Sequence, residues 1–177
     1  MTYRESLIEA MDWLASQPDT IFIGQTVKNP GSRIHGSLEK VPLEKRIEFP
    51  VAEEMQLGAS LGMALEGLVP VTIFPRFDFL LLAMNQLVNH IDKIGVMSNG
   101  GMRPRIIIRT SVGSKRPLDG GPQHTNNHAK AVKNMLTEVE VVELRYPPAV
   151  LPYYQKAYKD EETRMWLFVE EGELYGT

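Results

Sequence analysis

The strongest constraint on this chain is a set of unbroken apolar runs, each followed by a helical segment. Leu68–Phe74 reads LVPVTIF and Arg105–Thr110 reads RIIIRT, without the regular polar alternation of a strand that has one wet face. Strands that are apolar throughout are covered on both sides, as in parallel sheets. Thr20–Gly24 (TIFIG), Val139–Leu144 and Met165–Val169 supply three more strands, and Arg46–Glu48 a brief one. Helical periodicity fills the intervals. Leu7, Ile8, Met11, Leu14 and Ala15 mark a first helix stopped by Pro18; a second runs from Glu53 to Gly67 and a long apolar one covers Phe77–Ile94. Asn126–Met135 and Pro148–Tyr158 complete the set. Strands alternating with helices predict one α/β domain over residues 1–177, a three-layer α/β/α arrangement around a mostly parallel sheet.

Composition narrows the function. A length of 177 residues supports a sizeable core, and a net charge of −3 with mixed signs carries no footprint for nucleic acid. No apolar run approaches the ~20 residues that cross a bilayer. The N-terminal MTYRESLIEAMDWLASQ reads as an amphipathic helix with acidic residues rather than a signal peptide, so the default expectation is a cytoplasmic protein. Cysteine is absent, which removes disulfides, thiolate metal sites and a cysteine nucleophile.

In open parallel sheets, ligands sit beyond the carboxyl ends of the strands. Three segments should converge there: the polar stretch Gln25–Lys45, the Glu53 junction, and the Gly/Pro-rich loop Ser111–His124. Read alone, Glu53 and Glu54 are first-turn carboxylates favoured by the helix dipole, worth about 0.3–1 kcal/mol. Gly58 and Gly62 share one helical face, and glycines inside a helix each cost roughly 0.5–1 kcal/mol against alanine, so a packing need is expected. That need is met either by a partner subunit or by the chain's own sheet.

The chain resembles the pyrimidine-binding domain of thiamine-diphosphate enzymes of the transketolase and 2-oxo-acid dehydrogenase type, in particular the beta subunit of the decarboxylating dehydrogenase component. The resemblance is carried in order by FIGQTV (Phe22–Val27), KRIEFPVAEE (Lys45–Glu54), GLVPVTIFPRFDFLLLAMNQLVN (Gly67–Asn89), GPQHT (Gly121–Thr125) and WLFVEEGELYG (Trp166–Gly176). Its most specific part is the spacing from Glu53 to Gly58, Gly62 and Gly67. That spacing selects Glu53 over Glu54 as the glutamate that, in the family, hydrogen-bonds the cofactor's aminopyrimidine and favours its imino tautomer. Such a role demands a carboxyl group shielded from water and able to share a proton. The resemblance also implies that Phe79 packs on the aminopyrimidine and that His124 handles protons or substrate, a task suited to an imidazole near neutrality. His35 aligns with a segment that approaches the cofactor and is a tentative substrate contact. His128, four residues after His124, reads as structural. Lys115 and Arg116 are candidate greeters of an anionic group, while Asn85 and Gln86 face either a subunit interface or water.

The family's diphosphate site needs a Gly-Asp-Gly segment and a downstream Asn to hold magnesium; Leu118–Pro122 (LDGGP) lacks the supporting pattern. The resembled subunits also continue into a C-terminal domain that this sequence does not contain, and Pro75 and Arg76 depart from the usual residues. The implied protein is therefore the pyrimidine half of a split enzyme acting on a 2-oxo acid or ketose. Thiamine diphosphate and magnesium would be held mainly by a diphosphate-binding, alpha-type partner in a heterotetramer. The competing expectation is a non-catalytic assembly or regulatory homologue that keeps only the fold. An unrelated nucleotide-binding domain is disfavoured, because no glycine-rich phosphate loop follows the first strand.

Overall fold

The computed structural model describes residues 1–116, 118–162 and 164–176; Pro117, inside the expected Ser111–His124 loop, lies outside them. Helix α1 (Tyr3–Ala15) opens with a capping box, Thr2 and Glu5 bonding each other's backbone amides. Strand β1 (Thr20–Gly24) leads through a short helical turn, α2 (Arg33–Gly36), to strand β2 (Arg46–Glu48). Helix α3 (Glu53–Leu65) and strand β3 (Val69–Phe74) follow, then a helical passage from α4 (Phe77–Leu80) to α5 (Ile94–Met97). Strand β4 (Ile106–Val112), helix α6 (Ala129–Met135), strand β5 (Val139–Leu144), helix α7 (Pro147–Lys159) and strand β6 (Met165–Glu171) complete the order.

All six strands are parallel, in the order β2-β1-β3-β4-β6-β5. The register sets Phe22 beside Val71 and Ile107 beside Trp166. Every residue of β3 and β4 is buried, which is why their sequences show no polar alternation. Two cores result. Leu7, Met11 and Leu14 of α1 and Tyr154 of α7 pack with Phe22, Ile107 and Phe168 on one face of the sheet. On the other, Leu57 of α3 joins Phe77, Leu80, Leu87, Ile106, Ile108 and Leu167.

Several expected boundaries move. β4 and β6 each run two residues further than the apolar pattern, because Ser111↔Glu170 and Val112↔Glu171 remain in register. Helix α6 begins at Ala129 instead of Asn126, since the Asn127 side chain bonds the Ala129 amide and Asn126 turns to Asp78. The single helix expected over Phe77–Ile94 keeps a helical path but changes pitch: a 3₁₀ turn at Leu81–Ala83, a π turn at Gln86–His90 and a 3₁₀ turn at Ile91–Lys93. The fully buried Asp92 accounts for the last change. Its carboxylate accepts the amides of Thr137 (2.9 Å), Glu138 (2.8 Å) and Val139 (3.1 Å), tying this passage to the start of β5.

Candidate active site at the carboxyl end of the sheet

Strand β1 ends where a side chain would not fit: a Cβ on Gly24 would lie 2.2 Å from the Ile73 carbonyl oxygen. The chain then turns sharply at Thr26, a β-branched residue at φ 58°, where its side chain is strained. The turn is held from three directions. Glu48 accepts the amides of Thr26 (2.7 Å) and Lys28 (2.6 Å), Ser32 Oγ lies 2.6 Å from Thr26 Oγ1, and His35 Nδ1 lies 2.9 Å from the Thr26 carbonyl. Strained backbone fixed this firmly marks places where geometry matters more than local comfort. Its consequence is the placement of Gln25, whose Nε2 donates to Glu53 Oε1 at 2.9 Å.

Glu53 opens α3 behind Ala52, which offers no side-chain cap. It is 4% exposed. Its Oε1 is taken by Gln25, and Oε2 has no partner among the described residues. Gln56, one turn on, locks α3 to β3 through bonds from its Nε2 to Thr72 Oγ1 (2.9 Å) and the Ile73 carbonyl (3.1 Å). Glu54 is exposed and accepts from Asn85 Nδ2 at 2.8 Å, so the Asn85 amide bonds within the chain. Glu53 lines a groove of about 770 Å³ with Met55, Gly58, Leu82 and Gln86. The glycines on this helix are not demanded by the sheet: a Cβ on Gly58 would meet Gln86 at an ordinary 3.6 Å, and one on Gly62 would meet nothing within 4 Å.

The second focus is aromatic. Phe79 and His124 meet edge to face, ring centroids 5.5 Å apart. His124 Nδ1 is buried with no hydrogen-bond partner among the described residues. Phe77 meets His128 in the same manner at 5.4 Å, and His128 Nε2 lies 3.2 Å from Asp78 Oδ1, so His128 ties α4 to the loop before α6. Burial opposes ionisation of Asp78, but the bonds from Asn126 and His128 prevail and its pKa falls below the ordinary value. The structure thus brings Phe79 and His124 together, while Glu53 and His124 line separate recesses.

His35 lies in a third recess with Arg4, Arg33 and Tyr175, where its bond to the Thr26 carbonyl supports that turn. Lys115 and Arg116 are exposed, and Arg116 contributes its carbonyl to Arg33 Nη2 at 3.2 Å. Asp119 closes a local turn onto the Gly121 amide at 2.8 Å. Gln25 is the residue that sequence reasoning passed over. The only signal was its position directly after a strand that ends in glycine.

A six-stranded parallel sheet with a buried glutamate at the head of the helix after its second strand fits the transketolase-like pyrimidine domain that the sequence resembles. No protein-family model matches the chain. Among curated proteins, the beta subunit of pyruvate dehydrogenase E1 from Rickettsia bellii is 31% identical over 133 residues, covering 73% of this chain and 40% of that protein. The mitochondrial beta subunit from Saccharomyces cerevisiae is 30% identical over 131 residues, 72% of this chain and 35% of that protein. A solved split-gene transketolase, described as an inactive beta4 tetramer, superposes over 96% of this chain and 51% of its own, with a TM-score of 0.70 and 16% identity, a likeness of fold. The chain is thus a homologue of the pyruvate dehydrogenase E1 beta subunits, spanning 35–40% of the length of those relatives.

Proposed function

We propose that the chain is the pyrimidine-domain subunit of a split thiamine-diphosphate enzyme acting on a 2-oxo acid or ketose, its diphosphate site supplied by an alpha-type partner. One observation carries this reading: Glu53 is almost wholly buried, pinned by Gln25 on one oxygen, unpartnered on the other, and set in the wall of an open groove. A ring nitrogen of an aminopyrimidine suits that free oxygen, and the Met55 and Leu82 side chains give the groove apolar walls. Glu53 would hold and share the proton at its Oε2, Gln25 would keep the carboxylate in position, and Phe79 would offer an aromatic face. His124 would move a proton at the substrate end. The bound cofactor would supply the electron sink for cleavage next to a carbonyl. Magnesium and the diphosphate would be held mainly by the partner.

The test is turnover of the chain assembled with its diphosphate-binding partner. Glu53→Gln should lose roughly 10²–10⁴-fold, the range of a positioned proton-transfer group. Glu54→Gln, which alters an exposed carboxylate of the same turn, should retain most activity. Parental turnover in Glu53→Gln overturns the assignment. Calorimetric titration with thiamine diphosphate and magnesium separates the fold-only alternative, which should show no binding with or without the partner.

A further inference from the structure

Beside the Phe79–His124 pair lies a small recess of about 90 Å³, lined by Arg33, Arg76, Gly113, Ser114, Gly120 and His124. Pockets that take whole ligands run to about 300–1,000 Å³, so this one has room for a single functional group. Its walls carry two guanidinium groups from distant parts of the chain, α2 and the residue before α4. Neither forms an ion pair with a carboxylate among the described residues. Among the described residues Arg33 donates only to carbonyls, Gly172 at 3.0 Å and Arg116 at 3.2 Å, and Arg76 donates to its own neighbour, the Pro75 carbonyl, at 2.8 Å. Nearby carboxylates are engaged elsewhere: Asp78 with Asn126 and His128, Glu173 with the Lys115 amide.

Two half-buried like charges without a direct ion pair are costly, and arginine cannot escape the cost by losing its proton. Burial weighs most against the Arg76 charge, Arg33 adds to the cost, and the Asp78 carboxylate offsets part of it. The backbone is also built to close this recess. A Cβ on Gly113 would sit 1.9 Å from the His124 carbonyl oxygen and 3.3 Å from Arg76 Nε, so only glycine lets the loop after β4 fold back beneath the arginines. The forked donors of arginine match the oxygens of phosphate or carboxylate, and Ser114 and His124 add polar groups at the rim.

We propose that Arg33 and Arg76 clamp an oxyanion, the acidic terminus of the substrate, with His124 between that clamp and the reacting end. The substrate part of this statement rests on the thiamine-diphosphate reading; the anion site itself does not. The probe is therefore inorganic phosphate added to the chain alone at constant ionic strength, followed by NMR. Saturable shifts confined to the Gly113 and Ser114 amides and the His124 ring are expected, with no such response to sodium chloride. Arg76→Gln should weaken phosphate binding at least tenfold. Arg33→Gln serves as the second variant, and each is judged only after its anion-free melt matches the parent. Shifts that map elsewhere, that chloride reproduces, or that survive in well-folded Arg76→Gln overturn the site. Malonate in place of phosphate distinguishes a carboxylate terminus, by tighter binding, from a phosphate one. Because Glu53→Gln should bind phosphate like the parent, a failed anion site and a failed catalytic assignment give different results.

Discussion

Two glutamates are buried in this molecule, and their surroundings are opposite. Glu170 of β6 is closed in: Arg109 Nε reaches its Oε1 at 2.7 Å and Nη2 its Oε2 at 3.0 Å, while the Tyr154 and Tyr175 hydroxyls donate to it as well. Ser37 takes one more bond from Arg109 Nη2, at 3.0 Å. Burial works against the Arg109 charge, but Glu170 outweighs it and holds the guanidinium above its ordinary range. Burial and then the Glu170 charge push both tyrosines well above theirs. Glu53, by contrast, has one bond and an opening. A carboxylate whose oxygens are all engaged joins elements together; one left with a free oxygen toward a groove is available to a ligand.

The sharpest way to break that comparison is to remove each charge in turn. Glu170→Gln leaves Arg109 buried without its counter-ion and should cost about 3–5 kcal/mol, read as a fall in the urea midpoint. Replacing both partners with leucine or methionine should cost much less, since no stranded charge remains. Glu53→Gln should move stability by less than about 1 kcal/mol while removing activity, because its carboxylate has a single bond to lose. A large destabilisation in Glu53→Gln would place it with Glu170 as a structural residue.

Asp92 tests the same logic with pH. Burial opposes its charge, yet the Lys93 ammonium and the amides of Glu138, Thr137 and Val139 prevail and hold its pKa at about 2, against an ordinary 3.8. A folded-state pKa below the unfolded one means stability present above about pH 4 and lost as pH falls toward 2. The difference corresponds to about 2 kcal/mol. Asp92→Asn should therefore be less stable by that order at pH 6, and the gap should close by pH 2. A gap that stays constant across this range would show that Asp92 acts through shape rather than charge.

The sequence made the layers legible because burial on both faces writes itself as unbroken apolar runs, and β5 has the expected ends, Val139 and Leu144. Glu53 was legible because its spacing to three glycines is local. What stayed hidden depends on register. Arg109 and Glu170 are 61 residues apart and meet only because β4 pairs with β6, and Glu170 lies one residue past the point where the apolar pattern stops. Gln25 finds Glu53 across 28 residues through a strained turn, and Arg33 meets Arg76 only once α2 and the start of α4 arrive at the same end of the sheet. The pitch changes after Leu80 were masked as well, since a mostly apolar segment fits helices of several periods.

The smallest expected effect separates the two explanations for the glycines of α3. If Gly62 served packing within the chain, a methyl group would collide; instead a Cβ there meets nothing within 4 Å among the described residues. Gly62→Ala should stabilise the chain alone by about 0.5–1 kcal/mol, the ordinary gain of alanine over glycine inside a helix. The surface around it is apolar and uncovered, with Met55 67% and Leu65 43% exposed on the same helix. If a partner seats its backbone against this face, the same methyl group should weaken assembly while raising the chain's own urea midpoint. Opposite signs in these two measurements would assign the glycine to the partner; a lowered midpoint in the isolated chain would return it to the core.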